Sequence, residues 1–107
     1  PERLNAIGEA TGREIREAID WANRDDEVHV IIVESAGKGF CGGYDLKAWG
    51  QGAQDHPCQQ ERYPWDPMDD YAAMRQNTDD FMSLWHSLKP IIAKVHGHAV
   101  ASDSSVA

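Results

Sequence analysis

Val28-His29-Val30-Ile31-Ile32-Val33, followed after Glu34-Ser35-Ala36 by Gly37-Lys38-Gly39-Phe40-Cys41-Gly42-Gly43, is the stretch that decides the fold. The first block is β-branched, of strand length and nearly all apolar. That pattern predicts a strand buried on both faces, as in a parallel sheet. The second block has four glycines in seven residues, which is loop chemistry. Arg24-Asp25-Asp26-Glu27, just before the strand, reads as a solvated turn.

Further toward the N-terminus, Ile7–Asn23 reads as a helix. Ile7, Ala10, Thr11, Ile15, Ala18, Ile19 and Ala22 recur at steps of three and four and form one apolar stripe. Toward the C-terminus, Gln51–Pro67 is polar and reads as a long surface loop. Asp66-Pro67 is a helix start, with Asp as N-cap and Pro at the first helical position. Met74, Thr78, Phe81, Met82, Trp85 and Leu88 mark the helical stripe that follows, and Pro90 ends it. Ile91–Val95 is a second short strand, closed by the turn His96-Gly97-His98. Helix, strand, loop, helix, strand, loop is an α/β pattern with parallel strands and crossover helices. Ligands in such sheets sit beyond the carboxyl ends of the strands. The loop Gly39–Leu46 and the segment after Val95 are therefore expected to meet at one site.

The 107 residues carry a formal net charge of −8, which argues against a nucleic-acid backbone as main partner. A small anionic ligand needs only a few local cations, and Lys38, Lys47 and Arg3 are candidates. The two cysteines, Cys41 and Cys58, lack zinc or disulfide-framework spacing. No metal site is expected from them, and Cys41 reads as a packing residue. No apolar run approaches the roughly 20 residues of a membrane span, and no signal-peptide pattern opens the chain. Cytoplasmic residence is the default expectation. His96 and His98 read as turn or packing residues. Asp69, Asp70, Asp79 and Asp80 read as a solvated helix face with the acidic bias of a helix N-terminus. Asp45 reads as a loop-shaping acceptor of backbone hydrogen bonds.

Phe40-Cys41-Gly42-Gly43-Tyr44-Asp45-Leu46 resembles the Phe-small-Ala-Gly-X-Asp-Leu stretch of the crotonase superfamily, the enoyl-CoA hydratases and isomerases. Arg3-Leu4-Asn5-Ala6 is similar to that family's Leu-Asn-Ala turn at the CoA pocket. Asp25–Val33 resembles the approach to its sheet, and Lys89–Val100 the approach to its second oxyanion segment. Together these cover nearly the whole chain in the right order. The resemblance implies a partial crotonase-like (ββα spiral-type) acyl-CoA-binding domain over residues 1–107. It implies the Tyr44 backbone N–H as an oxyanion-hole donor, with Arg3, Leu4, Ala6, Gly42, Gly43, Asp45 and Leu46 around the substrate. No separate cofactor is expected, because CoA is part of the substrate. A homotrimer or hexamer is expected of the complete protein.

Two readings of the final residues stay open. An ungapped alignment puts Ser102 at the second donor position, and Ser105 where hydratases carry their first carboxylate, with Asp103 two residues early. Alternatively the sequence breaks after Ala101, and Ser102–Ala107 stand outside the family's register. The second carboxylate of the family falls beyond Ala107. Two functions accordingly remain: an enoyl-CoA hydratase or isomerase, or a non-catalytic, truncated crotonase-like binding or interaction module. RNA binding, known among family relatives, is disfavoured by the acidic balance.

Overall fold

The computed structural model describes residues 2–8, 10–47 and 66–100. The expected surface loop falls outside the described residues up to position 65, as do Cys58 and Ser102–Ala107. The elements run α1 (Thr11–Arg24), β1 (Ile31–Glu34), α2 (Pro67–Met82) and β2 (Ile91–Lys94).

Strands β1 and β2 pair in parallel, Ile31 opposite Ile91 through Glu34 opposite Lys94, as the α/β pattern requires. The Ile31 N–H opens the register on the Pro90 carbonyl at 2.9 Å. Burial alternates along both strands. Ile31, Val33, Ile91 and Ala93 are half-buried, whereas Ile32 and Ile92 are 57% and 55% exposed. The expectation of burial on both faces is thus corrected. Successive strand side chains point to opposite faces, and Val33 is on the face that packs against Ile7, Phe40 and Cys41. Val28–Val30, predicted as strand, precedes the ladder.

Helix α1 starts four residues later than the periodicity suggests. Ile7 belongs instead to an isolated parallel bridge with Tyr44, so its backbone groups are committed across the fold and cannot join a helix. The Gly8 N–H donates to Thr11 Oγ1 at 3.1 Å, and the Thr11 N–H to the Gly8 carbonyl at 3.2 Å, closing the entry turn. Gly12, Ile19 and Ala22 are the buried positions of α1. Ala18, placed on the predicted stripe, is exposed.

Helix α2 begins as predicted. Asp66 Oδ1 accepts the Met68 N–H at 2.9 Å, Pro67 fills the first turn, and Asp69 and Asp70 sit where the helix dipole favours negative charge. Of the predicted stripe, Phe81 packs against the core, while most of the other positions do not turn inward. Met74 and Met82 are exposed, and Trp85 and Leu88 lie past the helix and are 81% and 87% exposed. The helix stops at Met82, well before Pro90, where the Ser83 hydroxyl and N–H both donate to the Asp80 carbonyl.

The physical reason for the rotated face is Gly12. A Cβ built there would lie 3.2 Å from the Phe81 ring, 3.4 Å from Asp80 Cβ and 3.6 Å from Asn77 Oδ1. The missing side chain lets the Asn77–Asp80–Phe81 face approach α1. Asp80 is buried but satisfied: Arg16 Nη1 donates to it at 3.1 Å and Gln76 Nε2 at 2.9 Å. It is therefore not part of a fully solvated acidic face. Lys89 fastens the far end, its Nζ donating to the Ala22 and Asp25 carbonyls at 2.6 and 2.5 Å.

The core is Ile7, Phe40 and Cys41, packed by Val33, Tyr44, Phe81 and Ala99. It sits at the strand exits rather than beneath the strand middles. The turn after β2 presses on the loop after β1. Gly97 has φ +64°, and a Cβ there would collide with the Lys38 carbonyl oxygen and stand 3.0 Å from Gly39 Cα.

Two outcomes follow from this packing. Gly97→Ala adds about 1–2 kcal/mol of left-handed backbone strain and about 1–3 kcal/mol of crowding against a backbone that cannot rotate away. A urea melt of this variant should show a clearly lowered midpoint; an unchanged midpoint would refute the close approach. Separately, Glu34 donates no proton but accepts from Lys94 Nζ at 2.9 Å across the ladder, which holds its carboxyl below the ordinary value. A depressed folded-state pKa means the pair contributes above the unfolded-state value and is lost as pH falls through the folded one. A carboxyl NMR titration should place the Glu34 midpoint low and return it toward normal in Lys94→Met.

Candidate functional site

The two strand exits meet, as the α/β topology predicts. Phe40 and Cys41 N–H groups both donate to the His98 carbonyl, at 2.9 and 3.1 Å, and the Val100 N–H donates to the Cys41 carbonyl at 3.1 Å. Cys41 and Ala99 form a parallel bridge. The loop after β1 and the segment after β2 are therefore one short extension of the sheet. His98 packs on the loop, its ring within 3 Å of where a Gly39 Cβ would stand. His96 Nε2 lies 2.9 Å from the Gly37 carbonyl oxygen. Both histidines thus brace the turn. Among the described residues no group of three His, Cys, Asp or Glu side chains is placed to hold a metal ion.

The N-terminal turn closes on the same loop from the other side. Leu4 and Asn5 both have left-handed backbone, φ 57° and 54°. Asn tolerates that region and Leu does so only at a cost of about 1–2 kcal/mol. The geometry is held by what the turn touches. Asn5 Nδ2 donates to the Ala36 and Gly39 carbonyls at 2.6 and 2.9 Å. The Cys41 thiol donates to the Asn5 carbonyl at 3.2 Å, and its sulfur accepts the Gly43 N–H at 3.3 Å. Leu4 lies close against Gly42: a Cβ there would stand 3.1 Å from the Leu4 carbonyl oxygen and 3.2 Å from Leu4 Cβ, a tight fit. Arg3 reaches Asp45 at 2.5 Å, and the Ala6 N–H turns back to the Arg3 carbonyl at 3.1 Å.

Every described residue assigned to the substrate site is thus in or beside this clamp: Arg3, Leu4, Ala6, Gly42, Gly43, Tyr44, Asp45 and Leu46. Ser102 lies outside the described residues. Arg3 is spent on Asp45, although most of its side chain is exposed, while Lys38 and Lys47 stand at the surface. Asp45 shapes the loop as expected, Oδ1 accepting the Lys47 N–H at 3.1 Å. Asn5 is the residue whose role the sequence reading missed. Its signal was its type: a short amide side chain in a tight turn, able to hold left-handed backbone and donate twice.

Tyr44 has the geometry that bears on chemistry. The Ile7 N–H donates to the Gly43 carbonyl at 2.8 Å, and the Asp45 N–H donates to the Ile7 carbonyl at 2.9 Å. The Gly43 carbonyl and the Tyr44 N–H belong to one trans peptide and point in opposite directions. With the carbonyl turned to Ile7, the Tyr44 N–H is aimed away from the clamp. Gly43 reaches this orientation at φ +87°. The Tyr44 hydroxyl accepts a hydrogen bond from Asn77 Nδ2 of α2 at 3.2 Å. Tyr44, Leu46, Met74 and Asn77 line a mainly apolar groove of about 270 Å³ beside it.

The sequence matches the Enoyl-CoA hydratase/isomerase family over residues 1–107. It is 35% identical, over its whole length, to the probable enoyl-CoA hydratase EchA14 of Mycobacterium tuberculosis, of which it covers 37%. Among solved structures it superimposes on an enoyl-CoA hydratase from Mycobacterium smegmatis with a TM-score of 0.77 and 37% identity, covering all of this chain and 38% of that one. An enoyl-CoA hydratase/isomerase from Xanthobacter autotrophicus Py2 gives a TM-score of 0.71 at 35% identity, covering 91% of this chain and 32% of that one. The chain spans little more than a third of the length of these relatives. A family match spanning residues 1–107 and a shared fold lead to one conclusion: this chain belongs to the enoyl-CoA hydratase/isomerase family, as a partial α/β domain of the crotonase type.

Proposed function

We propose that the full-length protein binds an acyl-CoA thioester and hydrates or isomerises its enoyl group, with the Tyr44 backbone N–H as one oxyanion donor. The observation that supports this is the orientation of the Gly43–Tyr44 peptide. Its carbonyl is fixed by Ile7, so its N–H is held outward without any reorganisation at the moment of reaction. Addition of water to an enoyl thioester, or loss of an α-proton from one, places negative charge on the thioester oxygen. A donor already aimed at that oxygen stabilises the transition state more than the ground state. Ser102 is the proposed second donor in the native register. Acid/base groups, each worth about 10²–10⁴-fold, are still needed to complete hydration.

The surrounding contacts fit the substrate class. Gly42 and Gly43 keep side chains away from the loop, the apolar groove beside Tyr44 suits an acyl chain, and Arg3, Leu4 and Ala6 are proposed as the CoA-facing turn. A role in fatty-acid metabolism, trimeric or hexameric assembly and cytoplasmic residence belong to the same proposal. Among the described residues, no helix is long and apolar enough to cross a membrane. A second reading, thioester binding without turnover, is favoured by Ser105 standing where the hydratases carry an acid. Turnover of enoyl-CoA by the full-length protein separates the two.

Tyr44→Pro removes the N–H and leaves the side-chain-independent parts of the loop. It should lower kcat for enoyl-CoA hydration about 10²–10³-fold, equivalent to about 2.7–4 kcal/mol, with circular dichroism showing a folded variant. Unchanged turnover in a folded Tyr44→Pro protein would remove that N–H from the mechanism.

A further inference from the structure

The Asn77–Tyr44 hydrogen bond is a contact between distant elements that the thioester reading does not by itself require. Asn77 lies in the interior of α2, and its Nδ2 donates to the Tyr44 hydroxyl at 3.2 Å in a half-buried setting. Its other side-chain atom, Oδ1, faces α1 at Gly12, 3.6 Å from where a Cβ would stand. The amide is therefore held between the closest approach of the two helices and the aromatic side chain of the loop. The helix pair is in turn fastened by the Arg16–Asp80 pair at 3.1 Å, one turn further along α2. Asn77 thus links the α1–α2 contact to Tyr44.

Tyr44 carries two constraints at once. Its backbone peptide is fixed by Ile7 on one side, and its side-chain tip is fixed by Asn77 on the other. The bridge to Ile7 sets the plane of the Gly43–Tyr44 peptide. Rotation about the loop axis is restrained by the distant hydroxyl, which acts at the end of a rigid ring. The groove around the pair is lined mainly by apolar surface, including Leu46 and Met74.

We infer that Asn77 is a positioning residue for the reaction, acting through the Tyr44 hydroxyl to fix the aim of the Tyr44 N–H at the thioester oxygen; this rests on the thioester reading proposed above. Asn77 makes no bond to the reacting atoms. Its effect is to hold a donor to within the tolerance at which a misplacement of about 1 Å costs up to about a hundredfold.

The test uses the full-length protein and crotonyl-CoA labelled with ¹³C at the thioester carbonyl. Infrared difference spectra read how strongly the bound carbonyl is polarised, and steady-state kinetics give kcat and KM. In the unsubstituted protein the carbonyl band should move to lower frequency on binding. Asn77→Leu should lose much of that shift and lower kcat about ten- to a hundredfold, with KM changed far less. Tyr44→Phe, which keeps the N–H and the ring, should reproduce the loss, and the double variant should add little to either, since both substitutions break one contact. Asn77→Asp, whose carboxylate can accept from the Tyr44 hydroxyl, should restore most of the shift. If Asn77→Leu fails to fold, Tyr44→Phe and Asn77→Asp decide. A full shift and full kcat in folded Asn77→Leu or Tyr44→Phe would overturn the positioning role alone. Absence of any carbonyl shift in the unsubstituted protein would overturn the thioester reading, and the positioning role with it.

Discussion

Ile7 is the residue on which the arrangement of the loop depends. Its N–H and carbonyl are both spent on the loop after β1, on Gly43 and Asp45, and its side chain is 3% exposed in the core with Phe40 and Cys41. Two backbone hydrogen bonds in a buried setting are costly to break, because each leaves an unsatisfied polar group. The same two bonds set the plane of the Gly43–Tyr44 peptide. A single parallel bridge therefore acts both as core packing and as the device that fixes the plane of that peptide.

The rest of the clamp reinforces that bridge. Asn5, Cys41 and the Arg3–Asp45 pair join the N-terminal turn to the loop. The sheet extension through His98, Ala99 and Val100 joins the loop to the second strand exit. Left-handed backbone at Leu4 and Asn5 is tolerated because these contacts over-determine it. The loop is thereby held from three directions.

Gly12 and Gly97 show how close approach, rather than turn chemistry alone, explains particular glycines. Gly97 is needed both for its positive φ and because the Lys38 carbonyl occupies the space of a Cβ. Gly12 lies within a helix, where glycine weakens the backbone. It is offset by the contact it permits: α2 turns its Asn77–Asp80–Phe81 face inward. The hydrogen bond from Asn77 to Tyr44 is a consequence of that helix crossing.

The sequence by itself determined the element types, the parallel pairing, the Asp66–Pro67 helix start and the meeting of the two strand exits. Local propensity, apolar periodicity and the crossover rule suffice for these, because each depends on neighbours in the chain. The motif Phe40–Leu46, with the segments around it, also marked the family. Only the tertiary structure decided that Ile7 leaves the predicted helix to bridge Tyr44, and that Asn77 and Asp80 join Phe81 of the predicted stripe in facing α1 while Met74, Met82, Trp85 and Leu88 stay exposed. It also decided which strand face is covered, and that Asn5 and Asn77 hold the loop. Those outcomes depend on which distant backbone groups need partners and on where a missing Cβ lets two helices touch. Neither condition is written in the periodicity of any one segment.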